Sequence, residues 1–184
     1  DKHWFERANA TGHLSMAIRA WAIQEGDVPH RLERSIALLE EIVKDSPDQW
    51  PPFPCNWVLS ACIKHSDAQE AYETASLIFQ NVRHNERSYE LMAQIIKQST
   101  GNQQLIEEIF HKACTNGLLS QELVWRVIEG ASVEQLQRLF VLDYQYAQMV
   151  HQAHGNFGKR PPRDLLLRSL PSEWSVNTKP NPRG

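Results

Sequence analysis

The sequence is poor in cysteine, and its three cysteines, Cys55, Cys62 and Cys114, show no paired spacing. This odd, unpaired set argues against a disulfide framework and favours a reducing compartment. Long apolar runs are also missing: no stretch of about 18 apolar residues occurs, so we expect no membrane insertion. With 184 residues, of which 41% are hydrophobic and 22% charged, the composition is typical of one globular domain or a short repeat array.

The sequence also lacks the signatures of common catalytic and metal sites. A zinc deaminase needs a His-x-Glu followed by a Cys-x-x-Cys, and no such pair of motifs occurs. His151 and His154 would share one helical face, but a third metal ligand is not evident. Neither a histidine nor an acid is organised around any cysteine. We therefore expect no enzyme activity, no cofactor, no metal and no small-molecule substrate.

Helical periodicity runs through most of the chain. The segment His13–Glu25 places apolar residues about one turn apart, with Thr11 as its predicted N-cap. The segment Ser46–Pro54 contains four prolines and is predicted to be a loop. Further helices are predicted at 32–43, 55–65, 68–83, 87–98, 103–115 and 119–129, and a longer one at 133–154 with a break near Leu142.

One helical pattern recurs along the chain. Three segments align with offsets of 41 and 34 residues: Ser15–Ala22, Asn56–Ile63 and Glu90–Lys97. The helices that follow them align as well. A helix pair repeated at this period is typical of an α-solenoid, in which each pair buries its apolar face against its neighbour. We predict an all-α, right-handed α-solenoid with pairs at about 12–45, 53–84, 87–117 and 119–154. An irregular helical bundle is the alternative.

The character of the chain changes at about Gly155. Residues 155–184 hold six lysines and arginines against two acidic residues, although the whole chain carries a net charge of −3. Prolines hold the stretch around Lys159, Arg160 and Arg163 extended, so these cations can contact phosphates or remain in solvent. The apolar residues that follow, including Leu170 and Trp174, should dock on the helices or on a partner. We predict a basic, proline-rich C-terminal arm with a short docking helix.

The repeated segments resemble pentatricopeptide-repeat (PPR) proteins. The first helix of that repeat commonly reads aromatic-Asn-x-hydrophobic-Ile/Leu-x-Ala-Cys, which is similar to Cys55–Cys62 and, more loosely, to Ser88–Ile96. The second helix commonly ends in Ala-x-x-x-Phe-x-x-Met, which is similar to Ala75–Val82 and Ile106–Ala113. The resemblance covers about residues 12–177.

The order of motifs near the end adds to this resemblance. Glu107–Gly117, then Glu122–Ala131, then Leu170–Asn177 resemble the C-terminal part of PPR proteins from diatoms and related algae. Those proteins often close with Phe-x-Lys-Cys-x-x-x-Gly, a helix and Leu-Pro-x-x-Trp-x-x-Asn. The resemblance implies a mitochondrial or plastid protein that binds single-stranded RNA.

The resemblance also implies where bases would be read. PPR proteins use a polar residue on the first turn of each repeat's first helix and a second one at the repeat's end. The matching positions are Met16, Trp57 and Leu91 for the first and Pro52 and Glu86 for the second. The family normally has Asn, Ser or Thr at the first and Asp or Asn at the second, so all five residues depart from it. Apolar groups cannot make the hydrogen bonds that discriminate base edges.

Two functions therefore stay open. The first is RNA binding in organellar RNA processing, stability or translation, in which Trp57 would stack on a base. The second is a protein–protein scaffold, such as a subunit of an organellar ribosome, in which the degenerate repeats read no RNA. In that case Trp57 would pack against a neighbouring helix or a protein partner.

Overall fold

The structure is a computed structural model that describes residues 2–26, 28–44 and 50–155, together with Leu170, Pro171 and Trp174. The prediction of an all-helical chain is confirmed for these residues, which contain no strand and only an isolated bridge between Trp50 and Val82. The helices are α1 (Lys2–Ile23), α2 (Arg31–Val43), α3 (Pro52–Ile63), α4 (Ala68–Asn81), α5 (Glu86–Ser99), α6 (Gln103–Thr115), α7 (Gln121–Ile128), α8 (Val133–Phe140) and α9 (Tyr144–Gly155).

Two predicted boundaries were wrong. The first helix begins at Lys2, so Thr11 lies inside it and accepts a hydrogen bond from the Ser15 hydroxyl, 2.7 Å away, instead of capping it. Helix α3 begins at Pro52, inside the predicted loop. Proline is tolerated there because the first helical N–H groups have no intrahelical acceptor.

Other predicted boundaries are confirmed. The Asp67 carboxylate caps α4 by accepting hydrogen bonds from the N–H groups of Gln69 and Glu70 at 2.9 and 3.0 Å. These bonds favour the charged form, so the pKa of Asp67 lies below its usual value. The predicted break near Leu142 lies at Val141, whose backbone adopts a left-handed conformation with φ of 54°.

The chain divides into two compact units, residues 1–101 and residues 102–184. The boundary falls inside the third predicted helix pair, 87–117. In the first unit, α1 packs on α3 and α3 packs on α5; α2 contacts both α1 and α3, and α4 contacts both α3 and α5. In the second unit, α6 packs on α7, and α9 contacts both α7 and α8.

A buried arginine joins the ends of two helices in the first unit. The Arg31 side chain, only 3% exposed, donates to the carbonyl oxygens of Gln24 at 3.1 Å and of Gly26, just past the end of α1. It also donates to the carbonyl of Lys64, the C-cap of α3, at 3.1 Å. The last carbonyls of a helix lack intrahelical donors, and a cation there also interacts favourably with the helix dipole. Arg31 therefore fixes the end of α1 beside the end of α3.

In the second unit, Leu170 and Trp174, which follow α9 in the sequence, lie against the helices. Leu170 is buried, and the Trp174 ring meets the Phe110 ring edge to face, with centroids 5.8 Å apart. The N–H of Leu119 donates to the carbonyl of Trp174 at 3.0 Å. The predicted docking is thus confirmed for Leu170 and Trp174. The short docking helix predicted for the C-terminal arm lies almost entirely outside the described residues.

We expect Arg31→Met to destabilise the first unit by about 2–3 kcal/mol, because it removes the charged hydrogen bonds that this buried side chain donates to the carbonyls of Gln24, Gly26 and Lys64. Pulsed alkylation of Cys55 and Cys62, both buried in α3, during a urea titration reports unfolding of this unit. Arg34→Met, at an exposed position of the same helix, should change the free energy of unfolding by less than about 0.5 kcal/mol. Equal effects of the two substitutions would contradict the role of Arg31.

We expect Trp174→Ala to destabilise the second unit by about 1–3 kcal/mol, because it removes the ring that packs on Phe110. Alkylation of Cys114, buried in α6, reports unfolding of this unit. Tyr144→Ala, at a side chain that is 56% exposed, is the matched control. Unchanged protection of Cys114 in Trp174→Ala would show that the docked segment contributes no stability.

Candidate functional site

An open cleft of about 330 Å³ lies in the first unit, between the start of α3 and the start of α5. We call it the Trp57 cleft. It contains two of the residues singled out from the sequence, Pro52 and Trp57. Its lining residues are Pro52, Phe53, Asn56, Trp57, Ser60, Asn85 and Arg87.

Aromatic side chains form one wall of the Trp57 cleft. Phe53 and Trp57 lie four residues apart on α3, which places them on the same helical face. Their rings meet edge to face, with centroids 6.1 Å apart and an interplanar angle of 86°. Phe53 is 53% exposed, and Trp57 is half-buried. The wall therefore offers exposed aromatic surface to a ligand.

Two arginines lie near these side chains, one over the Trp57 ring and one in the lining of the cleft. The guanidinium carbon of Arg19, an exposed residue on α1, lies over the Trp57 ring, 5.4 Å from its centroid. A cation over an exposed tryptophan contributes about 0.5–1 kcal/mol. Arg87 lines the cleft from α5 and forms an ion pair with Glu90 at 2.8 Å. The cleft thus combines aromatic faces with positive charge.

A polar network connects α3 to α5 beside the aromatic wall. The Asn56 amide donates to the side-chain oxygen of Asn85, and the Ser88 hydroxyl lies within hydrogen-bonding distance of both amide oxygens, each at 3.0 Å. Asn85 also caps α5 by accepting from the N–H of Ser88 at 3.0 Å. Because the amide oxygens are already used within the protein, the cleft is built for stacking more than for reading base edges.

The remaining predicted residues lie elsewhere. Met16 is 50% exposed and lies one turn before Arg19 on α1. Leu91 is 1% exposed, so its side chain belongs to the core of the first unit. Glu86 is the half-buried first residue of α5. The predicted phosphate-contacting residues Lys159, Arg160 and Arg163 lie outside the described residues.

Sequence reasoning missed Phe53, Arg19 and Arg87. The spacing of Phe53 and Trp57 could have revealed the shared face, but the neighbouring prolines suggested a loop. Arg19 and Arg87 gave no local signal, because their positions depend on how α1 and α5 pack against α3.

The chemistry of the other candidate groups is structural. Burial raises the pKa of each of the thiols of Cys55, Cys62 and Cys114 to about 12, which leaves almost no thiolate nucleophile at neutral pH. Across the described ranges, no cluster of three or more His, Cys, Asp or Glu side chains has the geometry to hold a metal ion. In the same ranges, no helix is sufficiently long and apolar to cross a bilayer.

Comparison with known proteins assigns no family to the chain. No protein-family model matches the sequence, and searches of curated proteins and of solved structures find no significant match.

Proposed function

We propose that this chain is a non-enzymatic, PPR-like helical-repeat protein of organellar gene expression that binds single-stranded RNA, with the Trp57 cleft as a base-stacking site. The observation that carries this proposal is the aromatic wall of Phe53 and Trp57, with the Arg19 guanidinium over the Trp57 ring. Proteins that bind single-stranded nucleic acid combine these two features, aromatic platforms for bases and cations for the backbone.

The helix packing of the first unit supports a solenoid arrangement. Helices α1, α3 and α5 pack in series, and each of α2 and α4 contacts the first helix of its own pair and that of the next. This neighbour-only pattern is what stacked helix pairs require. In such an arrangement, the resemblance to the PPR family would put Trp57 at a base-contacting position. We extend this to a right-handed solenoid as part of the proposal.

The proposed recognition is weakly selective for sequence. Stacking on an aromatic ring contributes about 1–3 kcal/mol per base and is available to every base. Discrimination needs hydrogen bonds to base edges, and Trp57 has no group on its exposed face to make them. The cleft would therefore anchor an RNA strand, while sequence preference would come from other sites or from a partner.

A protein scaffold role, for example in an organellar ribosome, is the second candidate. It is favoured by the burial of Leu91, which removes one of the base-contacting positions, and by the exposed apolar side chains of Met16 and Phe53. An apolar partner helix would cover these side chains without needing a cation. In the first candidate, the cations are essential, so the salt dependence of binding separates the two.

Fluorescence-anisotropy titration of a labelled mixed-sequence RNA dodecamer tests the proposal. We expect affinity that falls steeply with salt, because phosphate contacts release counterions. Trp57→Ala should weaken binding by about 5- to 150-fold, the equivalent of losing one stacked base, while Trp57→Phe should retain most of it.

Leu77→Ala is the matched control, because Leu77 is an exposed apolar residue of α4 in the same unit, 57% exposed. It should leave the affinity unchanged. If the wild-type chain binds no RNA at low salt, the RNA proposal is wrong and the scaffold role becomes the working hypothesis.

A further inference from the structure

We propose that Arg19 is a displaceable cap on Trp57 that makes the Trp57 cleft selective for phosphate-bearing nucleotides. Without ligand, the guanidinium covers the ring. When a base stacks on Trp57, the guanidinium leaves the ring and contacts the neighbouring phosphate. This inference rests on the proposed RNA-binding function and goes beyond it by naming the residue that couples stacking to phosphate binding.

The position of Arg19 supports the first state. Its guanidinium carbon lies over the Trp57 ring at 5.4 Å from the centroid, so it covers one face of the ring. The cation therefore competes with any planar ligand for this face of the ring. A base can stack on that face only after the guanidinium moves.

The surroundings of Arg19 support its mobility. Among the described residues, three arginines have a carboxylate partner: Arg87 with Glu90 at 2.8 Å, Arg126 with Glu122 at 3.0 Å and Arg138 with Glu107 at 2.5 Å. Within the described part of the chain, Arg19 has no such ion pair, and it is exposed. A cation–π contact at an exposed site is weaker than base stacking on the same ring, so a base can displace the guanidinium.

The backbone below Arg19 is held still while its side chain moves. The end of α1 is fixed by Arg31, which donates to the carbonyls of Gln24 and Gly26, and by the Lys64 ammonium, which donates to Gln24 at 3.1 Å. Arginine also has a long side chain with a planar fork that matches phosphate oxygens. The displaced guanidinium can thus reach a phosphate beside the stacked base without any movement of α1.

Chemical selectivity follows from this exchange. A nucleotide replaces the lost cation–π contact with a charged hydrogen bond, whereas a nucleoside or an aromatic peptide side chain does not. The cap therefore favours RNA over uncharged planar ligands. Arg87, the arginine in the lining of the cleft, would not give the same selectivity, because its guanidinium is already paired with Glu90.

The test compares wild-type protein with Arg19→Gln and with Arg34→Gln, which removes the same charge from an exposed position of α2. Protein labelled with 5-fluorotryptophan gives a fluorine resonance for each tryptophan, and Trp57→Phe assigns that of Trp57. Adenosine, adenosine 5′-monophosphate and the RNA dodecamer are the three probes. Fluorine NMR follows the first two, and anisotropy follows the third.

We expect Arg19→Gln to shift the Trp57 resonance without ligand, because the ring loses its cap. Adenosine should bind equally or up to about fivefold more tightly, and the preference for the monophosphate should disappear. RNA affinity should fall by about 3- to 10-fold, and the salt slope should lose about 0.7, the value for one phosphate contact on a single strand. Arg34→Gln should keep the wild-type preference for the monophosphate.

Each other result overturns a defined claim. RNA binding that depends on Trp57 but keeps its salt slope and monophosphate preference in Arg19→Gln overturns the cap and leaves the proposed function standing. A wild-type chain that binds neither the monophosphate nor RNA overturns both. Aromatic peptides that bind as tightly as the monophosphate would identify a peptide site and also overturn the cap.

Discussion

The first unit depends on one buried guanidinium. Arg31 satisfies carbonyls at the end of α1 and at the end of α3 together, from a position that is only 3% exposed. Removing a charge from water is costly, and the cost is offset here because the guanidinium donates to carbonyl dipoles at two helix ends. This bond set fixes α1 against α3. It also places Arg19, on the last turns of α1, beside Trp57 on α3.

A second set of polar contacts completes the cleft. Hydrogen bonds among Asn56, Asn85 and Ser88 connect α3 to α5. Helices α1, α3 and α5 are thus linked by hydrogen bonds as well as by apolar packing. The consequence for function is direct. The side-chain oxygens of Asn56 and Asn85, which could accept hydrogen bonds from base edges, are used to hold the walls together, and the exposed side chains of the lining include Phe53 and Arg87. A site built this way favours stacking and charge over edge recognition.

The second unit is held together by a carboxylate and an aromatic cluster in place of a buried guanidinium. The Glu107 carboxylate, nearly buried on α6, accepts hydrogen bonds from Gln135 at 2.6 Å and from Arg138 at 2.5 Å on α8. An aromatic cluster of Phe140, Phe110 and Trp174 continues this contact, with Phe110 between the other two rings. Here Leu170 and Trp174, which follow α9 in the sequence, are part of the packing, so both are structural residues.

The sequence predicted the elements that depend on local patterns. Apolar periodicity located the helices, and the apolar character of Leu170 and Trp174 predicted their docking. The sequence-based prediction was wrong at two helix starts. Helix α3 begins among prolines, because the first turn of a helix tolerates them. Helix α1 extends upstream of Thr11, since no residue there stops a helix. Arg31 reads as an ordinary surface charge, because only the packed structure brings carbonyls from two helices to it.

The site shows the same division. Trp57 and Pro52 were found from the aligned repeats, because their positions follow from the helix register. Phe53, Arg19 and the Asn56–Asn85–Ser88 network required the packing of three helices, which no local pattern specifies. Leu91 occupies an equivalent sequence position to Trp57 but is buried, since the repeats are not equivalent in their surroundings.

The role of Arg31 in building the site is tested most directly by the fluorine resonance of 5-fluorotryptophan at position 57 in Arg31→Lys. Lysine keeps the charge but cannot donate to all three carbonyls with one planar group. If Arg31 fixes α1 against α3, the Trp57 resonance should move towards its position in Arg19→Gln, while that of Trp125 in the second unit stays in place. A Trp57 resonance that does not move in Arg31→Lys would contradict the dependence of the cleft on this guanidinium.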